Sequence, residues 1–332
     1  MKKITLLVNT VQQKRIFLEE HFERLRKLGD LKIYDREDFS DREYTLDFVK
    51  NTDFLITAWW SPKIDKDILD ACPSLSGVVY GGGTLINTVS DEFIARGIPI
   101  SNSKIVDSKS VGEATLGLAI AACKGAFFLP DDLRNGLWKE NYHKVKDFCG
   151  IKIGVIGAGI AGGHFLELLD NFEVEKLVYD PTISEEEMKR RFNARKCELS
   201  ELMSECDVIS LHAPVLPSTK NMINAENLRL IKDGAIFINT ARGALVNEND
   251  LIEECKKNRF TAILDVTNAG EPMPEDYPLR SIPGVVLLPH ITGVTNNGVA
   301  FMGKHICEEA ERFFAGKPMK CTVDLTKLSE MA

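Results

Sequence analysis

The chain has 332 residues, room for two domains at roughly 150 residues each, and its 44% apolar and 27% charged residues are those of a globular protein. Its 41 basic and 49 acidic residues leave a net charge of −8, so it lacks the basic field that holds a nucleic-acid backbone or an anionic membrane. The best apolar run, Leu116–Cys123, falls far short of the roughly 18 to 20 residues that cross a bilayer.

Short β-branched runs alternate with amphipathic stretches, the pattern of βαβ units and parallel sheets. The N-terminal apolar stretch Ile4–Val8 is too short for a signal-sequence core and reads as a strand, so a cytoplasmic protein is expected. A helix-like segment follows from Gln12 to Leu28, then strands at Leu31–Tyr34, Phe54–Thr57, Gly77–Tyr80 and Ile98–Ile100. After the helical stretch Ser110–Ala126 the alternation restarts, with strands at Lys152–Ile156, Leu177–Tyr179, Val208–Leu211, Ala235–Asn239, Ala262–Leu264 and Val285–Leu288. A last helical stretch covers Asn297–Ala315. Runs this uniformly apolar suit strands buried on both faces, so two α/β lobes with doubly wound parallel sheets are predicted, the two long helical stretches connecting them. Eight scattered cysteines (72, 123, 149, 197, 206, 255, 307, 321) form no C-x-x-C pair and no metal-ligand spacing. They read as small hydrophobes in a reducing compartment, and no metal is expected.

Ile153–Gly162 is a strand running into G-x-G-x-x-G. Gly157 would permit the tight turn, Gly159 would let the backbone approach a pyrophosphate, and Gly162 would allow close helix–strand packing. Apolar Ala161, Phe165, Leu168, Leu169 and Phe172 mark one face of the helix that follows, whose positive end would meet the phosphates. Asp180 ends the next strand at the spacing expected of a ribose-binding carboxylate, and Pro181–Ser184 supplies no arginine for a 2′-phosphate. NAD is therefore expected over NADP.

Ligands of open α/β sheets bind outside the carboxyl ends of the strands. After the six strands of the second block come the glycine loop, Asp180, His212-Ala213-Pro214, Thr240-Ala241-Arg242-Gly243, Asp265, and Pro289-His290. Arg242 offers a rigid fork of donors for a carboxylate, and His290 can trade a proton with an alcohol or carbonyl oxygen. Glu271, in the loop after the fifth strand of this block, is a candidate to orient that imidazole. Singly, each has a plain structural reading as an ion pair, a cap or a core histidine; their shared placement is what points to chemistry. His212 reads more as a contributor of backbone shape, and His21, His143, His164 and His305 have no supporting pattern. Trp59 and Trp60 follow a first-lobe strand, where a wall of the substrate site and plain packing are equally reasonable readings.

From about Ser101 to Thr295 the sequence resembles the D-isomer-specific 2-hydroxyacid dehydrogenases. The resemblance rests on Ser110-Val111-Gly112-Glu113, the Gly157–Gly162 fingerprint, Ser210–Pro214, Ile238–Gly243, Leu264-Asp265-Val266, Glu271-Pro272 and Leu288–Gly293. It implies two Rossmann-like lobes with the active site in the interlobe cleft. Residues 1–102 plus 294–332 would form a flavodoxin-like substrate domain, and 103–293 the NAD-binding domain. It further implies that Arg242 anchors the substrate carboxylate, His290 carries the proton, Glu271 supports it and Asp265 meets the nicotinamide carboxamide. The cofactor would contact Gly157, Gly159, Ile160, Ala161, Gly162, Asp180, His212, Ala213, Thr240, Ala241, Arg242, Asp265, His290 and Gly293. Gly82 and Gly83 would join Arg242 and His290 in binding the substrate. The implied reaction is hydride transfer between NAD and C2 of a small 2-hydroxy or 2-keto acid of D stereochemistry, in a homodimer. Phosphite or formate oxidation on the same scaffold is the chemical alternative, with Glu271 counting against formate, and an NAD-sensing corepressor-like module is the alternative from another class.

The sequence departs from the family twice. Val266–Gly270 puts one residue more than usual between Asp265 and Glu271. The substrate loop Gly81–Val89 keeps its glycines but lacks the acidic residues, with Leu85 and Ile86 in place of polar ones, so an apolar site beyond the carboxylate is expected.

Overall fold

A computed structural model of the chain describes residues 2–330. The chain divides into two compact units: residues up to Asp107 together with those from Val294 onward, and Ser108–Gly293. The first crossing falls inside the helix Lys104–Cys123, a few residues beyond the expected 102. No helix among the described residues is long and apolar enough to span a membrane.

The first unit carries β1 (Lys3–Leu7), β2 (Asp30–Ile33), β3 (Phe54–Ala58), β4 (Gly77–Gly81) and β5 (Ile100–Asn102) in the parallel order β2-β1-β3-β4-β5. The order reverses between β1 and β3, so the ligand crevice of such a sheet opens beyond their carboxyl ends. The C-terminal helix Gly298–Phe314 packs on this sheet through Met302, Ile306 and Ala310.

Two expectations for this unit need correction. The predicted helix Gln12–Leu28 is two helices, Thr10–Ile16 and Glu19–Arg26. Phe17 and Leu18 adopt extended backbone between them, the Leu18 N–H donates to His21 Nδ1 at 3.1 Å, and Phe17 stacks on Phe22. The strand predicted over Ile98–Ile100 begins only at Ile100. Gly97, left-handed at φ +64°, caps the preceding helix, and Pro99 has no N–H to give a ladder.

The second unit carries β6 (Lys152–Ile156), β7 (Glu175–Tyr179), β8 (Arg195–Lys196), β9 (Val208–Leu211), β10 (Ile236–Asn239), β11 (Thr261–Leu264) and β12 (Val285–Leu287). They form one parallel sheet in the order β12-β11-β10-β9-β6-β7-β8. The two-residue, polar edge strand β8 has no counterpart in the sequence reading. Successive residues of a strand feed opposite layers. In β10, Ile236 and Ile238 join the core with Val155 and Phe165, and Phe237 joins that with Leu202 and Leu211. That double burial, worth about 1.5–3 kcal/mol per large side chain, is why these strands are apolar without alternation. The sheet reverses between β6 and β9, so the turns after these strands frame its ligand crevice.

Six of the eight cysteines are buried; Cys149 is exposed and Cys321 half-buried. Burial pushes the Cys72 and Cys123 thiols up to about 11 and those of Cys255 and Cys307 to about 12, so they stay protonated and inert.

Candidate active site

The glycine turn after β6 has a separate local reason at each of its three glycines. Gly157 is left-handed at φ +91°, and a side chain there would lie 2.8 Å from the Ala213 amide nitrogen. The turns after β6 and β9 are thus in backbone contact. A Cβ on Gly162 would lie 2.0 Å from the Gly157 carbonyl oxygen, so only glycine lets the helix Ile160–Leu168 start this close to the turn. At Gly159 a Cβ would meet nothing within 4 Å. Internal packing does not require that glycine, whereas a ligand lying on the turn would. No side chain caps the helix at Gly159, Ile160 is exposed and Ala161 half-buried. The residues present therefore fit a pyrophosphate seated on the helix N-terminus.

Asp180 lies at the end of β7, 7% exposed, with its carboxylate turned onto the glycine loop. Oδ2 accepts the Ala158 N–H at 2.8 Å, and Oδ1 accepts the Thr182 N–H at 2.9 Å and the Thr182 hydroxyl at 2.7 Å. Three of about four lone-pair positions are filled, leaving one for a further donor.

His212, after β9, donates its backbone N–H to the Ile156 carbonyl at 2.7 Å. Its Nε2 lies 2.8 Å from the Ser210 hydroxyl, and Nδ1 is buried without a hydrogen-bond partner among the described residues. Desolvation lowers this imidazole's pKa to about 4. The folded state refuses a proton that the unfolded chain accepts near pH 6.5, so this histidine makes stability rise with pH between about 4 and 6.5 and contributes no slope above. Urea titrations should show an unfolding free energy lower by up to about 3 kcal/mol at the acid end of that window on this account. His212→Asn, which cannot take the proton, should flatten that part of the slope. His21, lowered chiefly by burial, adds to the slope in both proteins. An unchanged slope in the variant would contradict the assignment.

The reacting groups gather beyond β10, β11 and β12. Thr240 is buried, its hydroxyl 3.2 Å from that of Thr115 on the long helix, and Ala241 is half-buried. Asn239 braces the turn: Oδ1 accepts the Ala241 N–H at 3.0 Å and Nδ2 donates to the Arg242 carbonyl at 3.1 Å. The exposed Arg242 guanidinium donates from Nη1 to the Ala241 carbonyl.

Asp265, 2% exposed, is the anchor of the histidine loop. Oδ1 accepts the Ile291 N–H at 2.8 Å, and Oδ2 accepts the Thr292 N–H at 3.1 Å and the Thr292 hydroxyl at 2.5 Å. Its carbonyl accepts the His290 N–H at 3.1 Å. So held, His290 takes a left-handed backbone with φ +52°, unusual outside glycine, and its Nδ1 lies 2.5 Å from Glu271 Oε1. The longer Val266–Gly270 connection therefore still delivers Glu271 to the imidazole. Gly293, half-buried, closes the unit, and Ser110 on the long helix donates to the Thr292 carbonyl at 3.0 Å. The sequence reading gives Thr292, Ser110 and Thr115 no bracing role, because hydroxyls carry no spacing signal when their partners are far along the chain.

In the first unit, the Gly82 N–H donates back to the Tyr80 carbonyl at 3.1 Å, and the carbonyls of Gly82 and Gly83 accept from Ser103 N–H and Asn102 Nδ2. Trp59 is half-buried against the core, whereas Trp60 is 70% exposed and left-handed at φ +64°. Ser61 fixes that turn at the sheet's switch point, accepting the Ala58 N–H at 3.0 Å and donating to the Leu7 carbonyl at 2.7 Å. Leu85, expected beside Ile86 as an apolar replacement on the substrate loop, is instead a core residue at 2% exposure; Ile86 is 49% exposed.

Residues 116–292 match the family described as D-isomer specific 2-hydroxyacid dehydrogenase, NAD binding domain. A hydroxypyruvate reductase of Thermotoga maritima is 30% identical over 249 residues, covering 74% of this chain and 80% of that protein. A hydroxypyruvate reductase of Blautia hydrogenotrophica is 28% identical over 314 residues, covering 89% and 92%. Among solved structures, the TT0316 protein of Thermus thermophilus superposes with a TM-score of 0.76 at 26% identity, over 97% of this chain and all of that one.

Proposed function

The chain belongs to the D-isomer-specific 2-hydroxyacid dehydrogenases, and on that premise we propose that Arg242, Glu271 and His290 carry its reaction on a small 2-hydroxy or 2-keto acid. NAD, when bound, supplies or accepts the hydride at C2 of that acid. Arg242 holds the substrate carboxylate with its guanidinium fork and polarises the neighbouring carbonyl. In reduction, His290 gives a proton to the carbonyl oxygen, and in oxidation it takes one from the hydroxyl. Glu271 orients the ring through Nδ1, leaving Nε2 for substrate. The observation that carries this reading is the 2.5 Å pairing of His290 with Glu271 on a loop anchored by Asp265.

Ile160, Ala161, Gly162, His212, Ala213, Thr240, Ala241 and Gly293 frame the cofactor, with the pyrophosphate on Gly157 and Gly159. Asp180 takes the ribose hydroxyl with its remaining lone pair. Of the two first-unit glycines, Gly82 already donates its amide to the Tyr80 carbonyl. Residues 81–89 contain no lysine or arginine for a phosphate, and Trp60 and Ile86 are exposed apolar residues of the same unit. These features support an unphosphorylated 2-keto acid with an apolar side chain as the substrate. Exposed Leu133, Trp138 and Tyr142 on one stretch of the second unit support a homodimer, and the free cysteines support a cytoplasmic setting.

A turnover panel tests the reading. NADH-dependent reduction should be measured on pyruvate, longer aliphatic 2-keto acids, phenylpyruvate, glyoxylate and hydroxypyruvate. Specificity should climb along the aliphatic series, each buried methylene adding about 0.8 kcal/mol. NADPH should serve about a hundredfold less well, because a 2′-phosphate would meet the Asp180 carboxylate. No turnover on any 2-keto acid would sink the function; a preference for glyoxylate or hydroxypyruvate would sink the apolar side chain alone.

A further inference from the structure

Glu271 reaches His290 from the end of the Val266–Gly270 connection, and Asn268 ties that connection down with three donated hydrogen bonds. Its side-chain amide donates to the Gly243 carbonyl at 3.2 Å and to the Val246 carbonyl at 3.4 Å, both in the turn that follows Arg242. Its backbone N–H donates to Glu248 Oε2 at 2.7 Å, at the start of the helix that leaves the same turn. The two segments also touch without side chains: a Cβ on Gly243 would lie 2.3 Å from the Thr267 carbonyl carbon. Beneath the contact lies a small cavity lined by Asn239, Glu248, Thr267, Asn268 and Tyr277. The Tyr277 hydroxyl is buried there beside Glu248 and Thr267, and burial together with the Glu248 carboxylate pushes its pKa up. Tyr277 thus gives the clamp shape, and Asn268 with Glu248 gives it direction.

We propose that Asn268 and Glu248 are positioning residues: they lock the Arg242 turn to the Glu271 connection, so that the carboxylate anchor and the proton-transfer pair keep one spacing. This rests on the roles proposed above for Arg242, Glu271 and His290. Asn268 touches no reacting atom in this scheme. It acts because three donors from one residue fix the register of two loops that would otherwise slide by a residue's length.

The test is steady-state kinetics on full-length Asn268→Ala, Glu248→Ala and Glu248→Gln, using NADH and the 2-keto acid that ranks first in the panel. Displacement by about an ångström far from the chemistry costs up to about a hundredfold. Both alanine variants should lose about ten- to a hundredfold in kcat/KM, with kcat falling and the keto-acid KM rising together. NADH affinity by fluorescence titration should stay within about twofold. Glu248→Gln, whose side-chain oxygen still accepts the Asn268 N–H, should stay within about threefold of wild type. Wild-type kcat/KM in both alanine variants overturns the clamp. So does a change in KM alone, a loss that follows NADH affinity, or a Glu248→Gln variant as poor as Glu248→Ala. The underlying site is tested separately by His290→Ala: if that variant remains active, both readings fall, whereas its collapse beside wild-type clamp variants removes only the clamp.

Discussion

Replacing His290 with alanine should lower turnover roughly 10²- to 10⁴-fold while NADH binds about as before. The ring is a titratable group that the structure pairs with a carboxylate beyond the ends of β11 and β12, and alanine removes it without touching the glycine turn, whose last glycine stands 128 residues earlier in the chain. Glu271→Gln keeps the size and one acceptor of the carboxylate but loses its charge. That variant should fall less far, by about tenfold, because the imidazole can still be oriented through Nδ1. Steady-state rates with NADH, read beside fluorescence titration of the cofactor, separate the two effects. Equal loss of turnover and of NADH affinity in His290→Ala would mean that the residue supports the cofactor lobe and does not carry the proton.

The second large effect is expected at Asp265. Its carboxylate satisfies the N–H groups of Ile291 and Thr292 and the Thr292 hydroxyl, all of them in the loop that bears His290. Asp265→Ala strands those donors in a buried place, at about 1–3 kcal/mol for each one that finds no water. It also releases the left-handed backbone of His290, a conformation costing about 1–3 kcal/mol that persists only under outside constraint. The variant should melt several degrees lower and lose about 10²-fold or more in turnover through misplacement of the imidazole. Asp265→Asn should be intermediate: one oxygen still accepts, but its NH₂ faces a donor. A thermal melt together with kcat decides it, and full activity in Asp265→Ala would show that the loop holds itself.

The placement of the glycine turn, Asp180, Arg242, Asp265, Glu271 and His290 beyond the strand ends is legible because residue type and position after a strand mark it. Glu271 was legible even with an extra residue before it, since G-E-P marked it in the loop after β11. What bends that loop back was not: Asn268 and Glu248 stand 20 residues apart in ordinary polar stretches, and only the fold shows that they meet. Asp265 was read by its carboxylate's capacity for a ligand, whereas three of its hydrogen bonds go to its own chain. The break at Phe17–Leu18 escaped because the apolar period runs on across it; the cap is a histidine side chain, which no cap preference signals. Loop position does not show that Leu85 turns inward, where it packs into the first unit's core.

Every group assigned to moving the hydride and the proton lies between Gly157 and Gly293, in one compact unit, while Gly82, Gly83, Trp60 and Ile86 belong to the other. Under the proposed assignment, reactivity and substrate choice are inherited on different stretches of the gene. Changes across residues 59 to 89 would then retune which acid is accepted while the machinery that reduces it is copied unchanged. On that reading a lineage explores new diets by editing some thirty codons, and an engineer can test it with a small library.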